Sequence, residues 1–172
     1  MNEYSILIKG VEEGVHSFNF NIKDAFFKKF EKSEITKADI RAHVVLEKKN
    51  NRLTLFFNIS GEINNLLCDI CAESIPVSIQ TKTKMLIQEN SKFLNRDDEI
   101  IYVSKNNNKI ILDSLLFELI TVAIPATRRH KFKNGKRECD KEMLRLIEKY
   151  KNHSFPSTDP RWDALKEIKI KQ

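Results

Sequence analysis

Two stretches near the middle of the chain place an apolar residue at every second position, and this restricts the fold more than any other feature. In the first, Ile40, Ala42, Val44 and Leu46 alternate with Arg41, His43, Val45 and Glu47. In the second, Leu53, Leu55, Phe57 and Ile59 alternate with Arg52, Thr54, Phe56 and Asn58. Successive side chains of a strand point to opposite faces, so each stretch predicts a β-strand with one face in a core. Between them stands Lys48-Lys49-Asn50-Asn51. Asparagine tolerates the positive φ that a tight turn demands, so the two strands are expected to form a hairpin.

Other segments extend the pattern. Tyr4 to Lys9 reads as a short strand ending at Gly10, and Asn21 to Phe30 as a short helix with Ile22, Phe26, Phe27 and Phe30 at helical spacing. Strand-like runs follow at Ile63–Cys68, Ile75–Gln88 and Ile100–Val103, and a last one at Ile110–Leu112 after the turn signal Asn106-Asn107-Asn108. Residues 113–124 predict a helix with Asp113 as N-cap, Leu112 and Phe117 as a hydrophobic staple, and Pro125 as its stop. Residues 126–139 read as a loop, and Lys141 to Lys151 as a helix with Met143, Leu144, Ile147 and Tyr150 on one face. The fold class expected is therefore α+β: one domain with an antiparallel, barrel-like sheet over residues 37–112 and flanking helices. Residues 1–36 would supply an N-terminal strand and short helix, 37–124 the β-rich core with its helix, and 125–172 a basic loop and C-terminal helices.

Composition excludes several classes. With 41% hydrophobic and 31% charged residues, and only four Gly and four Pro, the 172-residue chain is neither disordered, collagen-like nor a disulfide miniprotein. The longest nearly apolar run, Leu115 to Ile124, is about half of the ~20 residues that a membrane span needs, and it contains Glu118. The start, Met1-Asn2-Glu3-Tyr4, lacks the basic and apolar regions of a signal peptide, so a cytoplasmic protein is expected. Charge is distributed unevenly. Residues 1–124 carry 16 Lys/Arg against 17 Asp/Glu, whereas residues 125–172 carry 14 against 7. The whole excess of the +6 chain thus lies in its last 48 residues, where it would attract a phosphate-rich partner or merely keep the chain solvated.

Three local motifs carry chemistry. Cys68 and Cys71, in Cys68-Asp69-Ile70-Cys71, permit a redox pair, half of a tetrahedral zinc site, or simple packing of small apolar side chains. Zinc would need two more ligands, and His130 with Cys139 could supply them if the loop folds back. Arg128, Arg129, Lys131, Lys133, Lys136 and Arg137 give six cations and no acid within ten residues, with Phe132 among them to stack on an unpaired base. Finally, Asp159-Pro160-Arg161-Trp162-Asp163-Ala164-Leu165 reads as a helix start, Asp159 capping and Pro160 at the first helical position. Trp162 and Leu165 would dock that helix on the domain or on a partner. No P-loop, dinucleotide fingerprint or nucleophile elbow is present. His16, His43 and His153 are isolated, and Asp97-Asp98-Glu99 reads as a solvated corner, so no enzyme is expected.

The order of these features resembles the YceD family of bacterial and plastid proteins. The likeness rests on Leu67-Cys68-Asp69-Ile70-Cys71, on Leu112-Asp113-Ser114-Leu115-Leu116-Phe117-Glu118 leading to Ile124-Pro125, and on the Asp159-to-Leu165 motif. It runs roughly from the hairpin to residue 168. The resemblance implies a role in accumulation of large-subunit ribosomal RNA. It also implies further Cys or His ligands after the proline-ended helix, which His130 and Cys139 match; the departure is a histidine in this second half and its long spacing to Cys139. Together these readings predict a non-enzymatic factor that binds RNA or a pre-ribosomal particle through the basic loop, with a structural Zn²⁺. The rival is a small zinc-stabilised protein-interaction module that makes no direct RNA contact.

Overall fold

The computed structural model describes residues 3–31, 33–89, 99–104, 107–133, 136–137 and 139–151. In chain order these form β1 (Ser5–Leu7), β2 (Gly14–Lys23), α1 (Asp24–Phe27), β3 (Ala38–Lys49), β4 (Arg52–Leu67), β5 (Ser74–Glu89), β6 (Ile100–Val103), β7 (Lys109–Ile111), α2 (Asp113–Val122), β8 (Phe132–Lys133), β9 (Lys136–Arg137) and α3 (Lys141–Lys151). The main sheet has five strands in the order β2-β3-β4-β5-β6, while β1 pairs with β7 and β8 with β9 in two separate ribbons.

The expected hairpin is present. β3 and β4 pair from Lys49↔Arg52 to Ala38↔Ile63. Their turn places Asn50 and Asn51 at φ 49° and 60°, the left-handed values that match the twist of a tight hairpin. Ile40, Ala42, Val44, Leu46, Leu55, Phe57 and Ile59 are all buried on one face. Against that face pack α1, α2, β1 and β7, through Phe26, Phe27, Leu116, Ile120, Ile6 and Ile110. Aromatic rings tie these elements together: Phe27 of α1 meets Phe117 of α2 at 6.4 Å, Phe30 just after α1 stacks on Phe117 at 4.1 Å, and Phe26 meets Tyr4 edge-on at 4.9 Å. Among the described residues no polar or charged side chain is buried as a whole.

Several expectations need correction. Among the described residues the sheet does not close into a barrel. Closure requires the two end strands to hydrogen-bond to one another, and β2 and β6 do not pair. Its edges are β2 and β6, and helices cover the apolar face instead. Nor is it wholly antiparallel, because β6 runs parallel to the end of β5, from Leu86↔Ile100 to Glu89↔Val103. The strand near residue 110 leaves the sheet to pair with β1. Of the helix expected over 21–30 only Asp24–Phe27 is helical: residues 21–23 end β2, where Phe18, Phe20 and Ile22 alternate towards the core, and residues 28–30 turn away from the helix.

The segments 52–59 and 63–68 are one strand rather than two. Gly61 sits inside β4 because a Cβ there would collide with the Asp39 carbonyl and Ile40 Cα of the neighbouring strand. Asp113 is not the cap of α2. Leu112 occupies that position without a side-chain hydrogen bond, and the Asp113 carboxylate turns to Lys29 Nζ at 3.3 Å. The staple expected of Leu112 and Phe117 shifts accordingly: Leu112 is buried in the core, and Phe117 packs on Phe30. The motif Asp159–Leu165, His153 and the acids Asp97 and Asp98 lie outside the described residues.

Since Gly61 permits close strand approach, Gly61→Ala should lower the unfolding free energy by about 1–3 kcal/mol through overpacking. Urea unfolding should show a lower midpoint with an unchanged slope; an unchanged midpoint would contradict the steric argument.

Candidate metal centre

The β4–β5 hairpin ends in a six-residue tip, Cys68 to Glu73, that has the form of a metal knuckle. Cys68 N–H donates to Glu73 O at 2.8 Å and Ala72 N–H to Cys68 O at 2.9 Å, with Ala72 at φ 57° to complete the reversal. The register shift before Leu66 bends β4 into this tip. Asn65, within the bend, accepts from the Thr36 and Lys37 backbone N–H groups at 2.9 and 3.0 Å and donates to Glu34 O at 2.7 Å. The preceding loop is thereby fastened to the strand.

A distant segment returns to the same place. Asp69 N–H donates to Arg128 O at 2.7 Å, and the Arg128 N–H donates back to the Asp69 carboxylate. This reciprocal pair sets residue 130 over the knuckle. Beyond it, β8 and β9 pair as Phe132↔Arg137 and Lys133↔Lys136, a ribbon that turns the chain so that Cys139 arrives beside His130. The eight-residue gap between these ligands, long for a zinc knuckle, thus contains two short paired strands in place of the loop expected. Asp140 then caps α3, accepting from Met143 N–H at 3.0 Å.

The four residues proposed from sequence are brought together. The ligand atoms of Cys68, Cys71, His130 and Cys139 all lie within 4.8 Å of one another. His130 Nδ1 is 3.5 Å from both Cys71 Sγ and Cys139 Sγ. A tetrahedral ion with ligand bonds of about 2.0–2.3 Å holds its donors roughly 3.5–3.8 Å apart, so the cluster needs little contraction to take one. All three cysteines are unpaired and buried. The other imidazole nitrogen, Nε2, faces Glu73 Oε2 at 3.7 Å, the carboxylate placement that orients a metal-binding histidine.

Electrostatics prepares one sulfur for coordination. Burial pushes the Cys68 thiol up, but N–H groups of Cys71, Ile70 and His130 directed at its sulfur, with the His130 side chain, bring it down to about 6. Burial acts on Cys139 without such donors, and together with hydrogen bonds to, and negative charge on, Cys71 and Cys68 it pushes that thiol up to about 11. Several anions do not share this space readily without a cation.

The basic cluster divides in two. Arg128 is half buried, with Nη1 at 3.2 Å from Glu34 and Nε at 3.7 Å from Asp69, so its charge is committed inside the protein. Arg129 and Lys131 are exposed next to the knuckle, and Lys133, Lys136 and Arg137 belong to the ribbon. Sequence reasoning passed over Asp69, Glu73, Glu34 and Asp140. The signals for two of them were present: an acid inside the Cys-x-x-Cys loop, and an aspartate immediately before a helix.

An α+β protein whose sheet ends in a three-cysteine, one-histidine cluster clasping a basic ribbon is the class that these observations define. The model of the family described as "Large ribosomal RNA subunit accumulation protein YceD" matches residues 57–169, and the chain belongs to that family. The match begins in β4 and takes in the knuckle, α2, the ribbon and α3. No curated protein and no solved structure matches the chain.

Metal binding must displace the Cys139 proton across the neutral range, so apparent affinity should fall at least about tenfold per pH unit as pH drops from about 8 to 6. Competition with a chromophoric chelator measures this; a flat profile would mean that Cys139 is not a ligand.

Proposed function

We propose that this protein is a non-enzymatic cytoplasmic factor in the accumulation of large-subunit ribosomal RNA, and that it contacts that RNA or a pre-ribosomal particle through residues 129–137. The observation that carries this reading is the position of the ribbon: His130 and Cys139 bracket Lys131 to Arg137, so the ligands that would hold a metal also hold the cations. Membership of the family supports the ribosomal context. Three thiolates and an imidazole suit Zn²⁺, and four protein donors complete its tetrahedral shell, which is the pattern of a structural site. Bound there, the ion would fix the ribbon against the β4–β5 tip without taking part in chemistry. A preorganised ribbon loses less entropy on meeting a phosphate backbone than a free loop does. Among the described residues, no helix is long and apolar enough to cross a membrane.

The rival, a zinc-stabilised module that binds protein, finds some support in α3, where Leu146, Ile147 and Tyr150 are exposed. Salt separates the two readings, because only phosphate contact releases condensed counterions.

The test replaces Arg129, Lys131, Lys136 and Arg137 together by Ala. Arg129 and Lys131 are exposed, where a charge contributes within about ±0.5 kcal/mol to folding, and the variant should fold and retain metal. Its association with large-subunit precursor RNA should weaken strongly, with a salt slope shallower by roughly 3. Parent-like association of the folded variant would rule out the ribbon as the contact. Arg128→Ala should behave differently, lowering thermal stability by releasing the Glu34 and Asp69 pairs.

A further inference from the structure

The solvent face of the main sheet forms a second surface with the chemistry of a nucleic-acid platform. Cross-strand register aligns its outward side chains in rows. The middle row runs Asn19, His43, Asn58 and Lys82. On one side of it lies a row with Phe56 between Val45 and Lys84; on the other, Arg41 lies between Asn21 and Ser60. These three rows contain no acid. Asp39 with Glu62, and Glu47, lie in the rows beyond, so carboxylates border the cationic area without entering it. At ordinary strand spacing the three rows cover roughly 14 Å in each direction. Two shallow depressions, about 360 and 460 Å³, meet there at His43 and Asn58.

Phe56 stands out among these residues. It is a large aromatic on the outer face of a central strand, half buried, while its core-facing neighbours Leu55 and Phe57 are fully enclosed. Lys84 Nζ lies 5.7 Å from its ring centroid. An aromatic beside lysines, with amide groups in the next row and an arginine in the row beyond that on an open antiparallel sheet, suits a single strand: bases stack on the ring, phosphates meet the cations, and amides reach base edges. Duplex would not suit this face, since paired bases cannot lie flat on a ring.

We propose that the face centred on Phe56 binds a single-stranded RNA segment of two or three nucleotides, with Phe56 as the stacking residue and Lys82, Lys84 and Arg41 as phosphate contacts. This rests on the reading that the protein's partner is RNA, but it does not depend on the ribbon. The β8–β9 ribbon would supply non-specific charge, and the sheet would select unpaired bases.

Full-length, metal-loaded protein and fluorescent octauridylate test the idea by anisotropy. Phe56→Leu keeps apolar cover but removes the ring, and should weaken binding about tenfold, with Phe56→Tyr restoring it. Lys82→Ala with Lys84→Ala, both at exposed positions, should make the salt slope shallower by about 1.4. A duplex of the same length should bind the parent and the Phe56→Leu variant alike. Octauridylate binding unchanged in both the Phe56→Leu and the double-lysine proteins overturns the proposal, as does an equal loss with Leu and Tyr. If the four-residue ribbon variant loses precursor RNA while the sheet variants keep full octauridylate affinity, the sheet proposal fails and the ribbon reading stands. If no variant alters binding to any RNA, the RNA reading itself fails.

Discussion

Four ligand atoms join two parts of the chain that sequence separates by 58 residues, and the placement of the basic β8–β9 ribbon follows from that junction. The tip of a long hairpin offers two sulfurs at a fixed spacing, because Cys68 N–H and Ala72 N–H close the turn independently of any metal. The returning segment is less well secured. It is aligned by the reciprocal Asp69–Arg128 hydrogen bonds, one backbone to backbone and one backbone to carboxylate, and by the Arg128 side chain between Glu34 and Asp69. A cross-link closing a loop of this length removes about 4 kcal/mol of chain entropy from the unfolded state.

The body of the protein needs no such help. Its apolar core runs unbroken from β1 to α2, and the sheet face turned towards the helices is lined with Ile, Leu, Val and Phe. Division of labour follows. A nearly neutral sheet and helix layer provides stability, and a cationic appendage, bracketed by ligands, is attached at one end of its longest hairpin. The opposite face of that sheet is polar, with Phe56 beside Lys84 in one of its three acid-free rows.

How far the sequence discloses this differs from element to element. Period-two alternation reveals β3 and β4 because one face is buried and the other wet, and the Asn50-Asn51 turn is legible from side-chain chemistry alone. The ligand set is legible too, since cysteine and histidine have few reasons to recur in one chain at such intervals. What misleads is local punctuation. Gly61 looks like a break, yet it is a point of close strand contact, which depends on a neighbour distant in sequence. Asp113 has the residue type of a cap, but Lys29 competes successfully for its carboxylate. Parallel pairing of β6 leaves no trace in its four residues. The β8–β9 ribbon could have been foreseen from Asn134-Gly135, a strong hairpin signal overshadowed by the surrounding charge.

A metal ion held by Cys68, Cys71, His130 and Cys139, as proposed, would clasp the basic ribbon to the β4–β5 tip. Amide hydrogen exchange of the full-length protein, compared with and without chelator, tests this most directly. Metal removal should accelerate exchange sharply in peptides covering residues 68–73 and 128–139, where Asp69 N–H and Arg128 N–H report the junction, while β3 and the first half of β4 keep their protection. Equal protection of residues 128–139 in both states, or a loss spread evenly over the whole sheet, would contradict the account.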